Sequence, residues 1–438
     1  MIKATNIVEI AQQFDPSKVL TKDDKDFHQN IYENTMKPLK TKLLINQIPT
    51  KTYFLCGQIG MGKSTALNYL PDTKIESKYD VKYLTGKELF NIEDIDIIDI
   101  LLMIGFELIK GTSLEDVYYV GLNKLKDVNL KNIQISKAET WDYKQEDEKK
   151  KTAGLNLSVH IAEFKNSIFT NLKRNKQQRQ TIREIFNIDK ANLIEFINDI
   201  ISDYKELIDN NKELLLIIDD LEKINDKDII HNVFVENNWI FNEINCVKII
   251  PIHIFFPRMH AMAKNDLIEL DFRIEKNKLD PSDDDTIVIE NKKTLKDLIK
   301  ARLNNEQLID EEAYKEVIKF SGGNIRQVIE IIHQASIHNI VKSDSQEGTI
   351  IDIDDIKWGA NEISNRLAKV ADSKIRVLNQ VAKYHTQFEE PTPKDEDDFD
   401  TLLLDNLIFF HKNGTHWYDI NPIISKTVEI YGKKQKQS

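Results

Sequence analysis

The sequence predicts an α/β fold, with a nucleotide-binding core on a parallel sheet, then a helical lid, then a smaller helix-and-hairpin unit. Three observations predict it. A glycine-rich loop, GQIGMGKST at residues 57–65, follows an apolar run at 53–56 and precedes a helical turn. A second apolar run at 214–218 ends in the acidic pair Asp219–Asp220. Between residues 294 and 340 the apolar residues recur at helical spacing.

The loop carries the most specific chemistry. Its residues, Gly57, Gln58, Ile59, Gly60, Met61, Gly62, Lys63, Ser64 and Thr65, fit G-x-x-x-x-G-K-[ST] between a strand and a helix. The glycines let backbone N–H groups turn inward, where a side chain would block a polyphosphate. The helix that follows adds a partial positive charge behind the anion. Lys63 is expected on the β- and γ-phosphates and the Ser64 hydroxyl on Mg²⁺. Only 14 of 438 residues are glycine, so a chance match to this spacing is improbable.

The chain length allows two or three domains with proper cores, and the expected boundaries follow the motifs. They are an N-terminal helical arm at 1–50, a core at 51–290 with an insertion at about 125–185, a lid at 291–345, and a last unit at 346–438. Hydrophobic residues make up 41% of the sequence and charged residues 30%, which describes a globular protein rather than a disordered one. A net charge of −12 argues against one dominant nucleic-acid surface. No apolar stretch reaches membrane-spanning length, and residues 1–16 lack a signal core. The two cysteines, Cys56 and Cys246, sit in apolar runs and read as buried thiols. A cytoplasmic protein with no membrane contact is the expectation.

Along the chain, short and longer helices are expected at 7–14 and 26–44, a strand at 82–85, and a buried helix at 94–110 closed by Gly111. Residues 171–183 are rich in Lys, Arg and Gln. A solvated helix face is the plain reading; the alternative is a partner or nucleic-acid contact through Lys173, Arg174, Lys176, Arg179 and Arg183. A helix at 192–207 leads to the strand at 214–218. The acidic pair after that strand lies on the ligand edge of an open α/β sheet, a Walker B pattern. Asp219 is expected to hold Mg²⁺, and Asp220 or Glu222 to orient or deprotonate the attacking water. The strand at 247–256 offers His253 and Arg258 as phosphate sensors, with a core histidine the plainer reading of His253.

In the lid, Leu295, Leu298, Ile299 and Arg302 share a helical face, and SGGNIRQ at 321–327 breaks one helix and starts the next. Helix signals at 373–385 and an Asn-Gly turn at 413–414 between strand-like arms suggest a winged helix. The acidic stretch before it disfavours a DNA-reading surface and leaves a protein-contacting or self-packing one as first reading.

GQIGMGKST, LLLIIDDLEK, IKARL and SGGNIRQVIEIIHQA, in this order, resemble an AAA+ ATPase. The likeness extends to origin-recognition and replication-licensing ATPases and to STAND-type bacterial ATPases with a C-terminal winged helix. It spans residues 40–340. The resemblance implies ATP with Mg²⁺ as cofactors and ATPase activity. It makes Arg326 the lid residue on the γ-phosphate, and implies self-association with a neighbouring subunit completing the site. The chain departs from that pattern at Asp220, where the family carries glutamate, and no asparagine or threonine of the sensor 1 kind ends the strand at 247–256. Arg258, Arg273 and Arg302 stay open as arginine fingers. The expected role is a switch that changes lid and oligomer state to engage a protein partner, anti-phage defence being one setting. The alternatives are a DNA-binding initiator, loader or transposition regulator acting through Arg179, Arg183 or the Lys412 wing, and a nucleotide-stabilised scaffold with negligible turnover.

Overall fold

The computed structural model describes residues 2–132, 176–253, 267–343, 349–367 and 372–435, less residues 19, 22, 90, 209, 210, 225, 271, 281 and 414. Five strands form one parallel sheet: β1 Thr52–Cys56, β2 Tyr79–Thr85, β3 Glu213–Asp219, β4 Val247–Ile252 and β5 Leu267–Glu269, in the order β2-β3-β4-β1-β5. β1, β3 and β4 are internal to it. Their near-continuous apolar sequence follows from burial on both faces, since parallel sheets are covered by helices on each side. Because all strands run the same way, the loops after β1, β3 and β4 open on one edge.

One face of the sheet packs on the apolar helix Ile97–Ile109 and the helix Lys190–Leu207. The first begins at 97, not 94, because Asp96 and Asp99 form a capping box. The other face packs on the arm helices and the lid. In the arm, Ile7–Gln13 is helical as expected, but the helix expected at 26–44 is divided. A 3-10 turn covers Lys25–Phe27 and the helix proper is Glu33–Ile45. Tertiary contacts override helix propensity between them: the His28 ring stacks on Tyr69 at 3.7 Å and the Tyr32 hydroxyl donates to the Met61 carbonyl.

The lid comprises Thr286–Lys300, Glu311–Ser321 and Ile325–Ser343, with Ile353–Leu367 packed along the last of them. The remaining unit contains the helices Asp372–Tyr384, Pro393–Leu404 and Ser425–Gln435 and the antiparallel hairpin β6 Ile408–Asn413 and β7 Thr415–Ile420. It has its own apolar core around Leu378, Phe399, Leu402 and Ile424. No helix among the described residues is long and apolar enough to cross a membrane. Both cysteines are free and buried.

The basic helix at 176–187 corrects a sequence expectation. Arg179 is buried, with Nη2 at 2.5 Å from Asp94 Oδ2, and Arg183 bridges Asp94 at 2.7 Å and Asp99 at 2.5 Å. These guanidinium groups bolt the helix to the start of Ile97–Ile109, so they offer no phosphate-facing surface. Amphipathic charge alone could not reveal this, because Asp94 and Asp99 are about 85 residues upstream. Lys173 and Arg174 lie outside the described residues. Arg183→Ala leaves the buried Asp99 carboxylate uncompensated, and urea unfolding is expected to show a loss of about 3–5 kcal/mol.

Candidate functional site

The loop after β1 is built from two residues in the left-handed region, Gly60 at φ 86° and Gly62 at φ 82°. A Cβ at Gly60 would sit 2.5 Å from the Asn324 Oδ1, so the lid also demands glycine there. The helix Lys63–Asn68 starts directly behind Gly62. Ser64 and Thr65 occupy its first turn, half-buried. Lys63 is buried; its ammonium donates to the carbonyls of Gly57 at 2.7 Å and Gln58 at 2.8 Å and lies 4.0 Å from Glu222 Oε1. Burial pulls the Lys63 ammonium below its ordinary range, while Glu222, then Cys56 and Asp219, oppose that. An arriving polyphosphate would favour the charged form further.

Opposite it stand three carboxylates from the end of β3 and the turn that follows. Ligand atoms of Asp219, Asp220 and Glu222 lie within 4.8 Å of one another, all buried. Each has a different environment. Asp219 accepts a hydrogen bond from the Tyr83 hydroxyl on Oδ2, while its Oδ1 is buried without a hydrogen-bond partner among the described residues. Glu222 Oε2 is buried in the same condition, and desolvation pushes its carboxyl above the usual range despite Lys63. Asp220 has a left-handed backbone, φ 73°, and is paired with Lys223. Buried oxygens without donors are costly unless a cation or donor meets them. The donor set therefore fits a hard divalent cation, which takes oxygen ligands.

His253 follows β4 and is buried; burial, then Lys63, pushes its imidazole down to about 3, so it is neutral and reads as a core histidine. Arg258 lies outside the described residues. The other two finger candidates are internal. Arg273 grips Asp283, with Nη2 at 2.9 Å from Oδ1. Arg302 is buried over the Phe14 ring at 5.6 Å and donates to the Leu298 carbonyl at 3.1 Å. Both guanidinium groups are engaged within the chain.

Two elements close on the loop from outside the core. From the lid, the Arg326 N–H donates to the Gly60 carbonyl at 3.0 Å and the Asn324 amide to the Ile59 carbonyl at 2.9 Å. The Arg326 side chain itself is exposed and has no carboxylate in ion-pair range among the described residues. From the hairpin, β6 holds Gln58: its Nε2 donates to the Ile408 carbonyl at 2.7 Å and its Oε1 accepts from the Phe410 N–H at 3.1 Å. Gln58 thus occupies both backbone positions of one β6 register site. Lys412 of the hairpin pairs with Glu269, and Lys278 of the core with Asp419 at 2.6 Å.

A cavity of about 430 Å³ adjoins the loop. Gly62 and Thr65 form its floor, and Phe27, His28, Tyr32, Tyr69, Arg302 and Ile325 are among its walls. That size and mixed lining suit a nucleoside. Sequence reasoning missed Phe27, His28, Tyr32, Tyr69 and Tyr83, which carry no motif and reach the site through tertiary packing alone; Asn324 and Ile325 lie within SGGNIRQ, and Arg302 enters the sequence reading only on the lid face and as a finger candidate.

No protein-family model and no curated protein matches the chain. Solved structures are similar to it at low identity. A Walker-type ATPase of Pyrococcus abyssi is 13% identical, with 95% of this chain and 99% of that chain covered and a TM-score of 0.43. The ORC2 protein of Aeropyrum pernix, in ADPNP–ADP complexes, is 10% identical, with 98% of each covered and a TM-score of 0.41. Cdc6p from Pyrobaculum aerophilum is 11% identical, with 99% and 100% covered and a TM-score of 0.37.

Proposed function

We propose that the chain is an ATP-binding and ATP-hydrolysing switch of the AAA+/STAND type, taking Mg²⁺ as its metal. The observation that carries the reading is the pairing of a lysine-bearing glycine loop with buried carboxylate oxygens that meet no donor among the described residues. The triphosphate would lie along residues 57–65, with Lys63 on its distal phosphates and the nucleoside in the adjoining cavity. Asp219 and Ser64 would hold the metal, which neutralises charge on the phosphates when bound. Glu222 is the carboxylate nearest Lys63 and is better placed than Asp220 to accept a proton from water, since Asp220 is occupied by Lys223. Arg326 follows Asn324 at the loop and has a free, exposed side chain with which to reach a γ-phosphate.

The switch aspect rests on the lid and hairpin. Both hydrogen-bond the loop that the triphosphate would contact, so occupancy and their position are coupled. A protein partner or a second copy would read the changed surface. The DNA-reader alternative is weakened, because Arg179 and Arg183 are engaged by Asp94 and Asp99 and the half-exposed Lys412 is paired with Glu269.

The test is phosphate release alongside thermal melting. At a ligand concentration near 100 Kd, Mg-ATP is expected to add about 2.7 kcal/mol of stability, with phosphate released above blank. Stabilisation without release would favour the scaffold reading. Neither effect would refute nucleotide binding altogether.

A further inference from the structure

The Tyr83 hydroxyl has no counterpart in the sequence motifs, yet it touches the carboxylate that matters most. Tyr83 lies on β2, paired with Ile217, and Thr85 pairs with Asp219. Side chains two apart along a strand share a face. Tyr83 therefore stands on the same face as Asp219, one pleat back, with its ring directed along the strand toward the ligand edge. Its hydroxyl donates to Asp219 Oδ2.

The consequence is a difference between two otherwise equivalent oxygens. Asp219 is 3% exposed, so rotation of its carboxylate is not damped by water. With Oδ2 occupied, the group is fixed about its terminal torsion, and among the described residues Oδ1 meets no donor. Terminal carboxylate torsions are broad and nearly two-fold when nothing holds them. A ligand that must accept one cation in one geometry gains from having that freedom removed beforehand.

We propose that Tyr83 is a positioning residue for metal-assisted nucleotide binding: it orients Asp219 so that Oδ1 meets the divalent cation. This rests on the functional reading above. Tyr83 touches neither nucleotide nor metal in this scheme and acts through Asp219 only.

The readout is the metal-dependent part of nucleotide affinity, not turnover. ATP affinity of the full chain is measured in EDTA and in saturating Mg²⁺, and the ratio of the two is the metal increment. In Tyr83→Phe the ring and its packing stay, and only the hydroxyl is lost. The increment is expected to fall about 10–100-fold, with the EDTA affinity unchanged. A hydroxyl with a merely structural role would lower the melting temperature and leave the increment intact, and that result overturns the proposal. Asp219→Asn is the companion variant. If it loses the increment while Tyr83→Phe keeps it, the positioning role fails and the metal site stands. If Asp219→Asn also keeps the full increment, Asp219 holds no metal and the reading beneath the proposal fails with it.

Discussion

Lys63→Ala is expected to weaken ATP binding strongly. A hydrogen bond from a charged donor contributes about 1.5–3 kcal/mol, and Lys63 is the one cation buried in the loop with its ammonium on the Gly57 and Gln58 carbonyls. Losing it should raise the ATP dissociation constant by about 10–150-fold, since every ~1.4 kcal/mol is a factor of ten. The variant also removes the ammonium that lies 4.0 Å from Glu222, leaving the acidic cluster less compensated, which repels the triphosphate further. Calorimetric titration with Mg-ATP checks the binding, and phosphate release should fall to blank. Wild-type turnover in this variant would end the functional reading.

Glu222→Gln should do the opposite to binding and as much to chemistry. An amide of the same shape cannot take a proton from water, and removal of a general base costs about 10²–10⁴ in rate. Binding should persist, because the neutral amide leaves Lys63 wholly available to the phosphates. The expected result is a protein that retains ATP through gel filtration while releasing phosphate at least about 100-fold more slowly. Asp220→Ala is the informative comparison. Its carboxylate is engaged by Lys223 within the turn, so its loss should have the smaller effect on rate. Were the rate to collapse in Asp220→Ala and survive in Glu222→Gln, the base would be Asp220.

What the sequence made legible follows from range. The loop, the acidic strand end and the lid break are local patterns with local causes: glycine at positive φ, five apolar residues in a row, a helix stop. Each is found where the sequence places it, at Gly60 and Gly62, β3 and Gly322. The fate of Arg179 and Arg183 was not legible, because a basic helix face reads the same whether its counter-charges are water or two distant aspartates. Tyr83 was hidden for a related reason. A tyrosine in a strand is ordinary, and only the parallel register with β3 brings it to Asp219. The division of the arm helix likewise depends on Met61 and Tyr69, which belong to another element. Helix, strand and loop motifs were therefore readable one at a time, whereas the electrostatic assignment of each charged group required the assembled sheet.

The grip of β6 on Gln58 joins residues 350 positions apart in the chain across a single amide group. Linkage between two such places is reciprocal: whatever factor ligand occupancy changes in the hairpin's release, detaching the hairpin must change in ligand affinity by the same factor. On the proposed reading, a pull on the hairpin would therefore register as a changed ligand dissociation constant.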